Sequence, residues 1–200
     1  MIRSRKTALC TGLIACACHS ESPPVPGSHT EDRHSERWTG EVPNEGFGVS
    51  LAAAGETIWA GAPHGEIGRI YCLDDSGVTE VLSRDGRLGS SLAAWGDSFI
   101  AGAPLSGGGA GSIVDPSGIE LARGPQSLGL ALWSDGARWV GAHSEGWIDS
   151  SGQSGNTTHR PASVAVMGAT VGMGSPLSGA ALVLPDTEHE RTDELDFGGY

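Results

Sequence analysis

Lysine is all but missing: Lys6 is the only one in 200 residues. It lies in a segment expected to be removed, so the mature chain has no lysine for a Schiff base and none for a Walker A phosphate loop. Positive charge is scarce altogether, with 12 Lys and Arg against 24 Asp and Glu and a formal net charge of −12. Nucleic-acid binding rests on basic side chains neutralising phosphates, so the acidity argues against that class and equally against an electrostatic grip on anionic lipid. Aromatics make up only 6% of the chain, while glycine reaches 32 and proline 11. That balance suits many short elements joined by tight turns, not long helices. The chain contains no Cys-x-x-Cys, His-Glu-x-x-His, Gly-x-Ser-x-Gly or nucleotide-binding fingerprint. No catalytic residue and no cofactor is assigned on this basis.

What is present begins at the N-terminus. Arg3, Arg5 and Lys6 precede an apolar run from Thr7 to Ala15. The run falls well short of the ~20 residues needed to cross a bilayer but fits the hydrophobic region of a secretory signal. It ends in Leu13-Ile14-Ala15-Cys16, which resembles the bacterial lipoprotein signal. That resemblance implies cleavage before Cys16 and acylation of its thiol. Several acyl chains would hold the protein stably on a membrane, where one would not. Ala17 in place of Asp favours the outer membrane, with the domain facing either the periplasm or the surface. An ordinary signal peptide cut elsewhere is the competing reading.

Residues 16–45 then read as the lipidated cysteine and a flexible spacer, rich in Pro, Ser, His and alternating charge. His19, His29 and His34 are spacer residues in that reading, and loose metal ligands in the alternative. Cys18 and Cys72 either pair as a disulfide or remain thiols.

From residue 46 to 185 the chain repeats itself. The segments FGVSLAAAGETIWAGAPHG (47–65), LGSSLAAWGDSFIAGAPLSG (88–107), LGLALWSDGARWVGAHSEG (128–146) and ASVAVMGATVGMGSPLSG (162–179) line up. Their endings at Gly61-Ala62-Pro63, Gly102-Ala103-Pro104, Gly141-Ala142-His143 and Gly174-Ser175-Pro176 stand 41, 39 and 33 residues apart. Periods near 40 in a Gly-rich chain point to propeller blades or another repeat array. Gly55-Glu56 and Gly96-Asp97 fit two-residue type II′ hairpin turns, and Asp135-Gly136 fits type I′. Farther on, Asp-x-Ser-Gly recurs at Asp74, Asp115 and Asp149 and suits a type I turn. Each unit therefore predicts a four-stranded antiparallel meander. The fold class expected is all-β, a propeller-like array of about four blades, partial or incompletely closed. The small Gly and Ala residues of the repeat are expected where neighbouring sheets crowd together.

Phe47-Gly48-x-Ser50 followed by Gly61-Ala62-Pro63 resembles the FG-GAP repeat, the blade unit of integrin α-chain propellers and of many bacterial surface proteins. The resemblance implies a propeller that binds proteins in a setting of cell adhesion. It also brings two departures. Many family members carry an Asp-x-Asp-x-Asp-Gly calcium loop between the first two strands; here single acids, Glu56 and Asp97, occupy two-residue turns. Calcium needs six to eight oxygen ligands, so no metal is expected in the blades. The family is also associated with seven blades, whereas four units are found here. Phe197-Gly198, near the end of the acidic tail (186–200), could open a closing strand; otherwise the array needs a partner copy, closes on itself with four blades, or is a remnant.

Trp95 and Trp133 lie close to the first turn of their units. They are candidates for contact with a protein or carbohydrate, against core packing as the plain alternative. Trp139 and Trp59 are read as equivalent core positions. The expected function is a lipid-anchored envelope protein with a non-enzymatic interaction or adhesion module. The alternatives are an envelope hydrolase with a loop-borne Asp/Glu/His site, in which His64 or His143 would sit beside a carboxylate, and a structural fragment that self-associates.

Overall fold

The computed structural model describes residues 37–157, 160–175, 180–184 and 193–196. Among these described residues, sixteen strands form four sheets, each with its four strands in chain order. The first sheet holds β1 (Ser50–Ala54), β2 (Thr57–Ala62), β3 (Gly68–Asp74) and β4 (Gly77–Arg84). The second holds β5 (Ser91–Trp95), β6 (Ser98–Ala103), β7 (Ser112–Val114) and β8 (Glu120–Arg123). The third holds β9 (Ala131–Ser134), β10 (Trp139–His143), β11 (Gly146–Asp149) and β12 (Ser154–Asn156). The fourth holds β13 (Ser163–Met167), β14 (Thr170–Ser175), β15 (Ala180–Leu184) and β16 (Asp193–Asp196). Every strand pairing within the sheets is antiparallel, so each sheet is the meander that the repeats predict. The sheets stack through their first strands: β1 lies against β5, β5 against β9, and β9 against β13. Among the described residues, no strand of the first sheet packs on the fourth to a comparable extent.

Turn chemistry sets this regularity. Gly55, Gly96, Gly136 and Gly168 open the first hairpin of each sheet with φ of 59, 58, 89 and 62°. That left-handed conformation falls to glycine because it lacks a Cβ. In the third unit the turn is centred on Gly136-Ala137, not on Asp135-Gly136, and Asp135 donates its N–H to the Arg138 carbonyl at 3.1 Å. Glycine is thus the first central residue, as in the other units, and the type I′ expectation is corrected. The Asp-x-Ser-Gly turns behave alike. Asp115 Oδ1 accepts the N–H groups of Ser117 and Ile119 at 2.9 and 2.8 Å, and Asp149 Oδ1 accepts those of Ser151 and Gln153, both at 2.9 Å.

Counting from the turn glycine moves the third unit by one residue. Gly61, Gly102, Ala142 and Gly174 each stand six residues after it. The carbonyls of Gly61, Gly102 and Ala142 accept from Gly48, Gly89 and Gly129 at 3.0, 3.1 and 2.9 Å. Ala142 therefore replaces the glycine of Gly-Ala-Pro, and His143 replaces its alanine. On the same count Trp139 is the counterpart of Ile58 and Phe99, not of Trp59.

The core lies between the sheets. Trp59, Ile70, Leu88, Leu92 and Phe99 fill the first junction, with the Trp59 and Phe99 rings tilted at 5.6 Å. Ile100, Ile113, Leu128 and Trp139 fill the second, and Val140, Trp147, Val171 and Met173 the third. Each such side chain contributes roughly 1.5–3 kcal/mol on leaving water. A separate cluster of Ala60, Ala62, Tyr71 and Leu73, with Phe47 against it, covers part of the other face of the first sheet.

Candidate functional site

The side chains singled out by the sequence are spread across the array. Trp95 is half-buried against the second junction, beside Ile100 and Trp139, whereas Trp133 packs into the third. The Arg138 guanidinium carbon sits 5.7 Å over the Trp133 ring, and its Nη2 donates to the Gly168 carbonyl at 2.7 Å. The two tryptophans therefore belong to different sheet junctions and do not form one surface.

The histidines are likewise separate. His143 is buried on β10, its Nδ1 accepting the Glu145 N–H at 3.2 Å. Burial pulls its pKa down, opposed by the Glu145 carboxylate and the Trp147 backbone. His64 is exposed, its ring lying over Gly46, where an added Cβ would meet Nδ1 at 2.7 Å.

The most enclosed acid is one that sequence reasoning missed. Glu45, placed at the end of the spacer, is buried; its Oε2 accepts from Tyr71 Oη at 2.8 Å and stands 3.7 Å from Arg69 Nη1. Desolvation first, then the Glu45 hydrogen bond and charge, push the Tyr71 pKa up to about 12. The group ties residues 45–47 to the first sheet. Nothing in its local sequence marks it, because Tyr71 lies 26 positions away.

Cys72 is half-buried, its thiol pushed up by burial and by Asp74, whose Oδ2 lies 3.8 Å from Sγ. Cys16, Cys18, His19, His29, His34, residues 186–192 and Phe197-Gly198 lie outside the described residues. Asp193–Asp196 is the fourth strand of the last sheet, paired with β15. Glu56 and Asp97 sit singly and exposed on their turns. Among the described residues, no three His, Cys, Asp or Glu side chains gather in a group able to hold a metal, and no helix is long and apolar enough to cross a membrane. The Gly-rich residues 105–111 connect β6 to β7, with Gly107 and Gly108 left-handed at φ 58 and 79°.

The feature repeated at each of the first two junctions is a polar lock. Ser50 Oγ donates to the Gly89 carbonyl at 2.7 Å, and Ser91 Oγ to the Gly129 carbonyl at 2.7 Å. A Cβ at Gly61 or Gly102 would overlap both the serine hydroxyl and that carbonyl. This close approach is why the repeat keeps its glycine.

Together these features define an all-β, propeller-like array of four antiparallel sheets. No family model and no curated protein matches the chain. Solved structures do. The computationally designed Ika4 protein is 19% identical with a TM-score of 0.54, over 76% of this chain and 98% of that one. The computationally designed Ika8 protein is 18% identical with a TM-score of 0.53, over 74% of this chain and 48% of that one. AztD from Citrobacter koseri is 18% identical with a TM-score of 0.48, over 77% and 48%. The chain thus spans nearly all of one designed protein and about half the length of the other two.

Proposed function

We propose that this chain is a lipid-anchored protein of the bacterial cell envelope, held on the outer membrane through Cys16. Its propeller-like array would be a non-enzymatic interaction module of the FG-GAP kind, binding a protein or carbohydrate partner. The observation that carries the reading is the order of the leader: Arg3, Arg5 and Lys6, the short apolar run, then Leu13-Ile14-Ala15-Cys16. The adhesion class is supported by Phe47-Gly48-x-Ser50 and the Gly-Ala-Pro endings that follow it.

The test is expression of the whole chain in a bacterial host, membrane fractionation on a density gradient, and mass spectrometry of the mature N-terminus. The expected result is a diacylated Cys16 in the outer-membrane fraction, and release of Cys16→Ser into the soluble fraction. Cleavage at another residue, or a Cys16→Ser variant that stays with the membrane, would overturn the anchor.

A further inference from the structure

The geometry points to a second copy of this chain as the partner of the array, with the outer face of one copy's first sheet docked head-to-tail on the outer face of the other's fourth sheet. This rests on the packing rule of the sheets and not on the envelope assignment.

The rule is visible at every internal junction. The residue four before the turn glycine (Leu92, Leu132, Val164) and the residue three after it (Phe99, Trp139, Val171) face the preceding sheet, and each packs in that junction's core. The first sheet carries the same two positions as Leu51 and Ile58, which are 61% and 37% exposed. They are core residues by position with no sheet in front of them.

The opposite end shows the matching deficiency. Ser163 and Gly174 pair directly across β13 and β14, as Ser50 pairs with Gly61 and Ser91 with Gly102. An added Cβ at Gly174 would meet Ser163 Oγ at 2.5 Å, so the cramped serine–glycine pocket is built again. At the first two junctions that serine binds the carbonyl of a left-handed glycine, Gly89 (φ 85°) or Gly129 (φ 91°). Ser163 is exposed, and its hydroxyl has no protein partner among the described residues. The missing acceptor has its counterpart at the other end of the chain. Gly48 has φ 82° and open space where Gly89 and Gly129 meet the preceding sheet. Ala165 and Gly172 make the fourth sheet's outer face shallow, and Met167 at its rim is 81% exposed. Protruding Leu51 and Ile58 complement that hollow.

Head-to-tail surfaces either close into a ring or run on as a filament. Closure with two copies doubles the array, and the described sheets already match one designed chain almost entirely and about half of another.

The experiment uses the full chain with Cys10, Cys16, Cys18 and Cys72 changed to Ala. Leu51→Cys and Ala165→Cys are made separately and treated with a short bismaleimide, alone and mixed; they copy the internal neighbours Leu92 and Ala52. A cross-linked dimer in the mixture only, and a native mass of twice the chain for the unmodified protein, are expected. Leu51→Arg should keep the β circular dichroism spectrum, because the site is solvent-facing within one copy, yet raise the dimer dissociation constant by ~10-fold or more. A native mass of one chain at all concentrations would overturn the proposal. So would equal cross-linking in the unmixed samples, or an internal link in the Leu51→Cys/Ala165→Cys double variant.

Discussion

The hydroxyl of Ser50 reaches across a sheet junction to the backbone carbonyl of Gly89, 39 residues away, at 2.7 Å. Ser91 and Gly129 repeat the contact one junction later at the same distance. The donor comes from the first strand of one sheet and the acceptor from the left-handed glycine that leads into the next. A glycine on the neighbouring strand leaves the room between them. Sequence repeat, backbone conformation and sheet-to-sheet spacing are therefore one arrangement seen at three levels.

Changing Gly102 to Ala drives a Cβ against the Gly129 carbonyl and the Ser91 hydroxyl together. Overpacking of this kind costs ~1–3 kcal/mol, and the backbone partner puts it at the upper end. Ser91→Ala leaves a buried carbonyl without its donor, at about 1–2 kcal/mol. The double variant removes one of the two overlaps, so its loss should be smaller than the sum of the singles. Urea midpoints of the four proteins check this; strict additivity would mean that serine and glycine do not share the pocket.

Alkaline stability should depend on Tyr71. Its pKa is raised from 10 to about 12, chiefly by burial and then by Glu45. The folded state therefore holds its proton where the unfolded state has lost it. That contribution is complete below pH 10 and is lost as pH rises toward 12, about 3 kcal/mol in all. Tyr71→Phe should flatten this alkaline limb, while costing about 1–3 kcal/mol at pH 7 because buried Glu45 loses a donor. Urea midpoints at pH 8, 10 and 11.5 separate the two effects, and parallel slopes for both proteins would refute the assignment.

The sheets were legible because their turns were. Gly55-Glu56, Gly96-Asp97 and three copies of Asp-x-Ser-Gly mark chain reversals through local chemistry, and local chemistry is what a sequence displays. The register of the third unit is masked in the sequence because Ala142 stands where the others keep glycine, so that Gly141-Ala142 imitates the repeated pair. Counting from Gly136 restores it and also moves Trp139 to the position of Phe99. The lock of Ser50 on Gly89 and the burial of Glu45 under Tyr71 were not legible, since each joins residues far apart through packing with no local periodicity. Trp95 and Trp133 were conspicuous as residue types, yet the structure gives each to a separate junction.

Mild acid should loosen the third sheet. Burial lowers the pKa of His143 against the opposing influence of Glu145 and the Trp147 backbone. The unfolded chain then binds a proton that the folded chain resists. The stability is present above the ordinary histidine value of about 6.5 and is lost as pH falls below it. His143→Asn keeps an acceptor near the Glu145 N–H and should shrink the loss between pH 7.5 and 5. An unchanged slope would place the titration on another group.

The third junction lacks the serine lock for a reason that can be tested by trying to install it. Ala131 and Ala142 pair where the other sheets pair serine with glycine, and Pro161 stands seven residues before its turn glycine, as Gly48, Gly89 and Gly129 do. Proline holds φ near −65°, whereas those glycines lie at 82, 85 and 91°. The entry to the fourth sheet therefore follows a different path, and its carbonyl is not presented as Gly89 and Gly129 present theirs. Ala131→Ser with Ala142→Gly should accordingly lose stability, by roughly the 0.5–1 kcal/mol that glycine costs in a strand, with no return from a new hydrogen bond. A higher urea midpoint in that double variant would show that Pro161 delivers its carbonyl after all, and that the left-handed glycine is dispensable to the lock.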